Sequence, residues 1–198
     1  LPPAPVTPKK LVSDTRHGLT RTDDYAWLRA DNWQAVFHDT SLLDPEIRTV
    51  LEAENAYVDA AMADTAALRE ALFEEMKGRI KQDDSSIPVK DGPFAYGSLF
   101  VTGGEQPHYF REDREGGHRT VLLNGDAEAE GKDYFRLAGL SHSSDHRLGI
   151  WGYDDKGSEY FTLKVRDLAT ATDLDDHVEN TGGGGVFAPD GKSYFYTL

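Results

Sequence analysis

Ser158, in the run Lys156-Gly157-Ser158-Glu159-Tyr160, is one candidate nucleophile in this sequence. A serine hydrolase on an α/β scaffold carries its nucleophile on a Gly-x-Ser-x-Gly elbow, because only small flanks permit the strained turn. Ser158 lacks that spacing and the following helix, and no other serine sits in the frame; Ser158 reads as a hairpin-turn residue. Gly191-Lys192-Ser193 suggests the end of a phosphate-binding loop, but the glycine required five residues before Gly191 falls on Val186, and Gly185 misses by one. An aromatic strand also follows where a helix should begin and offer its N-terminus to phosphate. The run Gly182 to Gly185 is then expected to be a flexible connection between strands. His142 and His146 stand four apart with Asp145 between them, a spacing that on a helix lets two imidazoles share a metal. Here they fall in a Ser-rich turn entering a strand, so they read as solvated turn residues. Asp154-Asp155-Lys156-Gly157-Ser158-Glu159 resembles half a calcium loop without the bidentate Glu twelve positions from its start, and reads as a tight turn. His17, His38, His108, His118 and His177 are scattered without partners at useful spacing. No catalytic, cofactor-binding or metal-binding residue is assigned, and no cofactor is implied.

Composition narrows the function classes further. There is no Cys, which rules out disulfides, zinc-thiolate sites and Cys nucleophiles within these residues and fits a reducing cytoplasm, the compartment expected here. A net charge of −14 with no Lys/Arg cluster argues against nucleic acid. Such charge steers basic partners at long range, and plain solubility accounts for it equally. No apolar run approaches the roughly 18 to 20 residues of a membrane helix. The start, Leu1-Pro2-Pro3-Ala4-Pro5-Val6, lacks the basic and apolar regions of a signal peptide, which leaves an export signal ahead of Leu1 an open matter.

The elements that must position any site change character along the chain. Residues 1–82 read as a helical extension. Asp44-Pro45-Glu46 is a helix start, with Asp as N-cap, Pro at the first helical position and an acid in the first turn. Ile47, Val50, Leu51, Tyr57, Val58, Ala61 and Met62 follow at largely helical spacing. Asp64-Thr65 caps a second helix or bends a single long one. Leu68, Leu72, Met76 and Ile80 form one stripe, expected to face a core, and a shorter helix is expected over 32–37. From Asp83 the pattern switches. Asp91-Gly92-Pro93, Gly103-Gly104, Gly116-Gly117 and Asn124-Gly125 punctuate short aromatic or β-branched runs. Strands are expected over 94–101, 108–111 and 120–123 as a meander, then over 147–153, 160–167 and 193–198.

An internal echo is present. Ser144-Asp145-His146-Arg147 precedes Leu148-Gly149-Ile150-Trp151, and Pro189-Asp190-Gly191-Lys192 precedes Ser193-Tyr194-Phe195-Tyr196. A repeat of about 40 to 50 residues built of four short strands is the signature of a β-propeller blade. Roughly 105 residues of β pattern amount to two blades and a fragment, short of the about 4 to 8 blades that close a propeller. The chain is therefore expected to be part of a larger molecule.

Three segments carry a family resemblance: Asp24-Tyr25-Ala26-Trp27-Leu28-Arg29, the helix segment Leu51-Glu52-Ala53-Glu54-Asn55-Ala56-Tyr57, and residues 72–88 (LFEEMKGRIKQDDSSIP). They resemble the prolyl oligopeptidase family of serine peptidases, the last of them its oligopeptidase B branch. Ser144 to Arg147, Gly157 to Tyr160 and Val165 to Leu168 continue the likeness. The resemblance implies an N-terminal α-helical extension (1–82) followed by antiparallel blades of an incomplete seven-bladed β-propeller (83–198), with a separate α/β-hydrolase domain as partner. It further implies hydrolysis of short basic peptides after Arg or Lys by a Ser, Asp and His that lie downstream, so that this segment braces the catalytic domain and filters access. It implies neither a nucleic-acid nor a membrane partner. Alternative readings are a non-catalytic propeller that docks a partner, and a sibling peptidase that cleaves after Pro or releases dipeptides.

Overall fold

The structure, a computed structural model, describes residues 1–198 and divides into two compact units, Leu1–Ile80 and Lys81–Leu198. The first unit is not helical throughout, which corrects the reading of residues 1–82 as wholly helical. It opens on an antiparallel hairpin, β1 (Val12–Arg16) with β2 (Leu19–Asp23), closed at His17-Gly18 with φ of 52° and 77°. Two consecutive positive φ values are the requirement of the two-residue turn that matches strand twist. Every residue of both strands is exposed, so no alternation of apolar and polar residues announced them.

Helix α1 (Trp33–His38) is followed by α2 (Pro45–Met62) and α3 (Ala66–Gly78). The Asp44 carboxylate accepts the Glu46 N–H at 2.7 Å and so satisfies one of the orphan donors of the first turn of α2. A single 3-10 turn, Ala63–Thr65, joins α2 to α3 and is tied by the Thr65 hydroxyl donating to the Met62 carbonyl at 2.7 Å. Ile47 is the buried apolar residue of α2. The stripe of Leu68, Leu72, Met76 and Ile80 does not face a core: these side chains are 60%, 47%, 60% and 69% exposed. Spacing makes a helix amphipathic, but whether its apolar face is covered depends on a partner surface.

The second unit holds two four-stranded antiparallel meanders and a hairpin. The first meander runs β3 (Val89–Asp91), β4 (Phe94–Leu99), β5 (His108–Asp113) and β6 (Arg119–Asn124) in spatial order. The second runs β7 (Arg136–His142), β8 (Leu148–Asp154), β9 (Phe161–Asp167) and β10 (Thr172–Thr181). A short helix, α4 (Gly125–Ala129), links them, and β11 (Gly185–Phe187) pairs with β12 (Tyr194–Tyr196) beyond. Four of these strands, β3, β7, β10 and β11, were not anticipated. β10 is the clearest case, because it is an edge strand carrying Asp173, Asp175, Asp176 and Glu179. Edge strands are kept charged to discourage pairing with other chains, which erases the alternating signal.

The core lies on the middle strands. Ile150, Trp151, Leu163 and Val165 are buried on β8 and β9; Ala95, Phe110, Leu122 and Leu123 fill the first meander. The sequence echo corresponds to one turn made twice. Ser143 N–H donates to the Leu148 carbonyl and Ala188 N–H to the Ser193 carbonyl, both at 2.8 Å. Asp145 caps Arg147 N–H and Asp190 caps Lys192 N–H, at 3.2 and 3.0 Å. The following residues are left-handed in both copies, His146 at φ 60° and Gly191 at φ 66°. The two turns also touch, with the Ser144 hydroxyl donating to the Pro189 carbonyl at 2.8 Å.

The expectation of a flexible link over Gly182 to Gly185 is corrected. Thr181 and Gly183 are buried, and a Cβ on Gly183 would lie 2.8 Å from the Phe161 ring and 3.0 Å from Ala138. A Cβ on Gly152 of β8 would meet the Gly183 carbonyl oxygen at 2.5 Å. These glycines permit close packing of backbone on sheet, a use that composition alone does not separate from flexibility.

Candidate functional site

Hydrogen bonds between sheets, not a nucleophile and its base, dominate the polar chemistry of the second unit. Ser158 lies in the β8–β9 turn, only 5% exposed. Its hydroxyl donates to Asp154 at 3.4 Å and accepts the Tyr160 N–H at 3.2 Å. Asp154, itself buried, also accepts backbone N–H groups from Lys156, Gly157 and Glu159 at 2.9, 3.1 and 2.8 Å. Burial pushes this carboxyl up, but the backbone N–H groups around it outweigh that and hold it below the usual carboxylate range. The half calcium loop is thus a turn wound around one carboxylate. Gly191 and Lys192 belong to the β11–β12 turn, and Ser193 leads into β12.

His108, read from sequence as unpartnered, donates to Asp126 at 2.9 Å. Asp126 also accepts the Glu105 and Gln106 N–H groups, each at 2.9 Å, and these donors keep its carboxyl low against the opposing effect of burial. The Gln106 side chain bonds the Phe135 carbonyl at 3.0 Å and the Leu137 N–H at 3.3 Å, joining the first meander to the entry of β7. Among the other histidines, His17 sits in the β1–β2 turn, His38 ends α1, His118 precedes β6 and His177 lies on β10. A second joint centres on Arg166, 7% exposed, which donates to Asp173 at 2.6 Å and to Glu128 at 2.7 Å. Burial opposes the Arg166 cation, yet the two carboxylates more than compensate and raise its pKa. Trp151 donates its indole N–H to Asp173 at 3.1 Å.

The most concentrated group of chemistry-bearing side chains lies at the seam of the two meanders. Tyr96 on β4 stacks its ring on His142 at a centroid distance of 3.9 Å and hydrogen-bonds His146 Nδ1 at 2.9 Å. Phe94 meets the His146 ring edge-on at 5.6 Å. The Arg111 guanidinium lies 4.3 Å from the Phe94 ring centroid and donates to the His146 carbonyl at 2.8 Å. Asp91, at the end of β3, places Oδ2 3.4 Å from His142 Nε2. This corrects the reading of His142 and His146 as solvated turn residues. Both are partly buried, because a hairpin turn folds positions i and i+4 back onto each other much as a helix does. The adjoining cleft is about 240 Å³, below the range of about 300–1,000 Å³ typical of small-molecule sites. Asp91, His142 and His146 can converge on one ion, their ligand atoms lying within 4.8 Å of one another.

In the first unit the segment resembling the family entry acts as a brace. The Trp27 indole N–H donates to the Pro8 carbonyl at 3.0 Å, Lys10 lies 4.3 Å from the Trp27 ring centroid, and Asp24 pairs with Lys9 at 2.9 Å. These residue types hold the extended start of the chain against the first unit.

Repeated four-stranded antiparallel sheets in chain order, with turns that recur at a fixed spacing, define a propeller-type protein. Residues 5–198 match the model of the N-terminal β-propeller domain of prolyl oligopeptidase, and the chain belongs to that family. It is 34% identical over 210 residues to dipeptidyl aminopeptidase BI of Pseudoxanthomonas mexicana, covering 98% of this chain and 28% of that protein. Protease 2 of Moraxella lacunata is 27% identical over 171 residues, 83% of this chain and 23% of its own length. Oligopeptidase B from Leishmania major superimposes with a TM-score of 0.83 at 25% identity, over 98% of this chain and 29% of that structure. The chain thus spans under a third of the length of these relatives. No helix is long and apolar enough to cross a membrane.

Proposed function

We propose that these residues form the N-terminal and propeller portion of a serine oligopeptidase that hydrolyses short peptides after Arg or Lys. The likeness to Leishmania oligopeptidase B across 98% of the chain carries this reading. The net charge of −14 supports it, since an acidic wall concentrates basic peptides. The helical extension (1–82) braces an α/β-hydrolase domain, and the blades (83–198) contribute to a seven-bladed filter that admits oligopeptides and excludes folded proteins. The Ser, His and Asp of catalysis belong to the hydrolase domain, so residues 1–198 contribute no catalytic group. The absence of Cys supports a cytoplasmic setting.

A second reading, release of dipeptides from a free amino end, is favoured by the 34% identity to dipeptidyl aminopeptidase BI. An active-serine phosphonate applied to the full-length protein, followed by peptide mapping, tests the division of labour: label is expected beyond Leu198, and label on a serine within 1–198 would overturn it. A chromogenic Arg peptide with a blocked amino end then separates the two activities. Turnover supports the endopeptidase; cleavage confined to the unblocked peptide supports dipeptide release.

A further inference from the structure

We propose that Asp91, His142 and His146 form a binding site for a divalent transition-metal ion of the zinc type, fastening the first meander to the second. The three residues come from two meanders: Asp91 ends β3 of the first, while in the second His142 ends β7 and His146 lies within the β7–β8 turn. Their ligand atoms lie within 4.8 Å of one another, and the pair Asp91 Oδ2 and His142 Nε2 is 3.4 Å apart. A tetrahedral ion with bonds of about 2.0–2.1 Å needs ligand atoms roughly 3.3–3.4 Å apart. One edge of the site is therefore already set, and the third ligand reaches the ion by a side-chain adjustment on the order of 1 Å.

The protons are arranged for ligation. His142 Nδ1 lies 3.0 Å from the Ser143 carbonyl oxygen. A carbonyl only accepts, so Nδ1 carries the hydrogen and Nε2 keeps its lone pair on the side of Asp91. His146 Nδ1 bonds the Tyr96 phenol, whose oxygen accepts as readily as it donates, which leaves Nε2 free to ligate. That Nε2 hangs over the turn next to Asp91: a Cβ on Gly92 would lie 2.2 Å from it. Each imidazole thus has its Nδ1 tied to a fixed oxygen, the arrangement that orients histidine ligands in metal sites. Tyr96 stacks on His142 and bonds His146, so one side chain of β4 positions both rings. Two imidazoles and a carboxylate suit Zn²⁺, Co²⁺ or Ni²⁺ and not Ca²⁺ or Mg²⁺, which prefer oxygen. Arg111 places a cation nearby, opposed by the Asp91 carboxylate, and the exposed face of Asp91 leaves a fourth position for water.

The test titrates Co²⁺ into chelator-treated full-length protein and follows its visible absorption, then displaces it with Zn²⁺. One equivalent is expected to bind, with the bands of four-coordinate cobalt. Asp91→Asn, His142→Gln and His146→Asn are each expected to weaken binding about 10-fold or more. Zn²⁺ is expected to raise the thermal midpoint of the native protein and not that of the variants. The proposal fails if the native protein shows no saturable single-equivalent binding, or if the variants bind as tightly as it does. Should a histidine variant not fold, Asp91→Asn decides alone, since that side chain is 61% exposed and its neutral form keeps the shape. The readout is independent of peptidase activity.

Discussion

At the scale of single residues, buried carboxylates hold the turns together. Asp154 is the strongest case, with three backbone N–H groups and a hydroxyl at bonding distance. Asp154→Ala strands those donors and is expected to cost about 3 kcal/mol, measured by urea denaturation against the native chain. The same residue predicts a pH dependence. Its folded pKa is depressed, so its contribution is complete above the unfolded value near 3.9 and is lost as pH falls through the lower folded value. Acid denaturation is expected to erode the stability of the native chain more steeply than that of Asp154→Asn; parallel curves would contradict this. At this scale much was legible. The Asp44 cap and the Asp145 and Asp190 turns follow from short-range rules, because an Asx side chain reaches only its own next few N–H groups. His108 with Asp126, and Asp91 with His142, were not legible, because each partner lies on another strand or turn and only folding brings it near.

Secondary-structure elements meet through joints specified by few side chains. Arg166 couples β9 to β10 through Asp173 and to α4 through Glu128. Arg166→Leu leaves Glu128 without its cation and Asp173 with only the longer Lys164 contact at 3.5 Å, and is expected to destabilise the second unit by about 3 kcal/mol. Asp173→Asn, which keeps the shape, is expected to cost less; a larger loss than for Arg166→Leu would contradict the assignment. Where β8 meets the glycine run, Gly152→Ala drives a methyl group into the Gly183 carbonyl oxygen and the Leu163 side chain. A loss of about 2 kcal/mol is expected, read as a lower denaturation midpoint with unchanged far-ultraviolet dichroism. In the first unit, Asp44→Ala removes the cap of α2 and is expected to cost about 1 kcal/mol of helix stability, read at 222 nm on heating.

Across the whole molecule the two units differ in what they bury. The sheets of the second unit close over Phe110, Trp151, Leu163 and their neighbours, whereas α2 and α3 leave Leu51, Val58, Leu72, Phe73 and Met76 at least 47% exposed. Contiguous exposed apolar surface of this kind binds apolar dyes and marks a contact face. Residues 1–198 are expected to enhance the fluorescence of an apolar dye, and Leu72→Glu with Met76→Glu to reduce that enhancement without loss of helix. A loss of helix on substitution would mean that the stripe supports the fold itself.

What the sequence determined by itself was local: the helical stretch that begins at Asp44-Pro45, the change to sheet from about Asp83, turns such as those at Asp91-Gly92 and Asp145, and the 45-residue echo of Asp145 in Asp190, all of which follow from periodicity and turn chemistry within a few neighbouring residues. The tertiary structure alone decided which strand edges pair, that the glycine run is packed, that the helical stripe is uncovered, and that Asp91 meets His142 and His146. Those outcomes depend on contacts between residues far apart in the chain, and no short window of sequence contains both partners of such a contact.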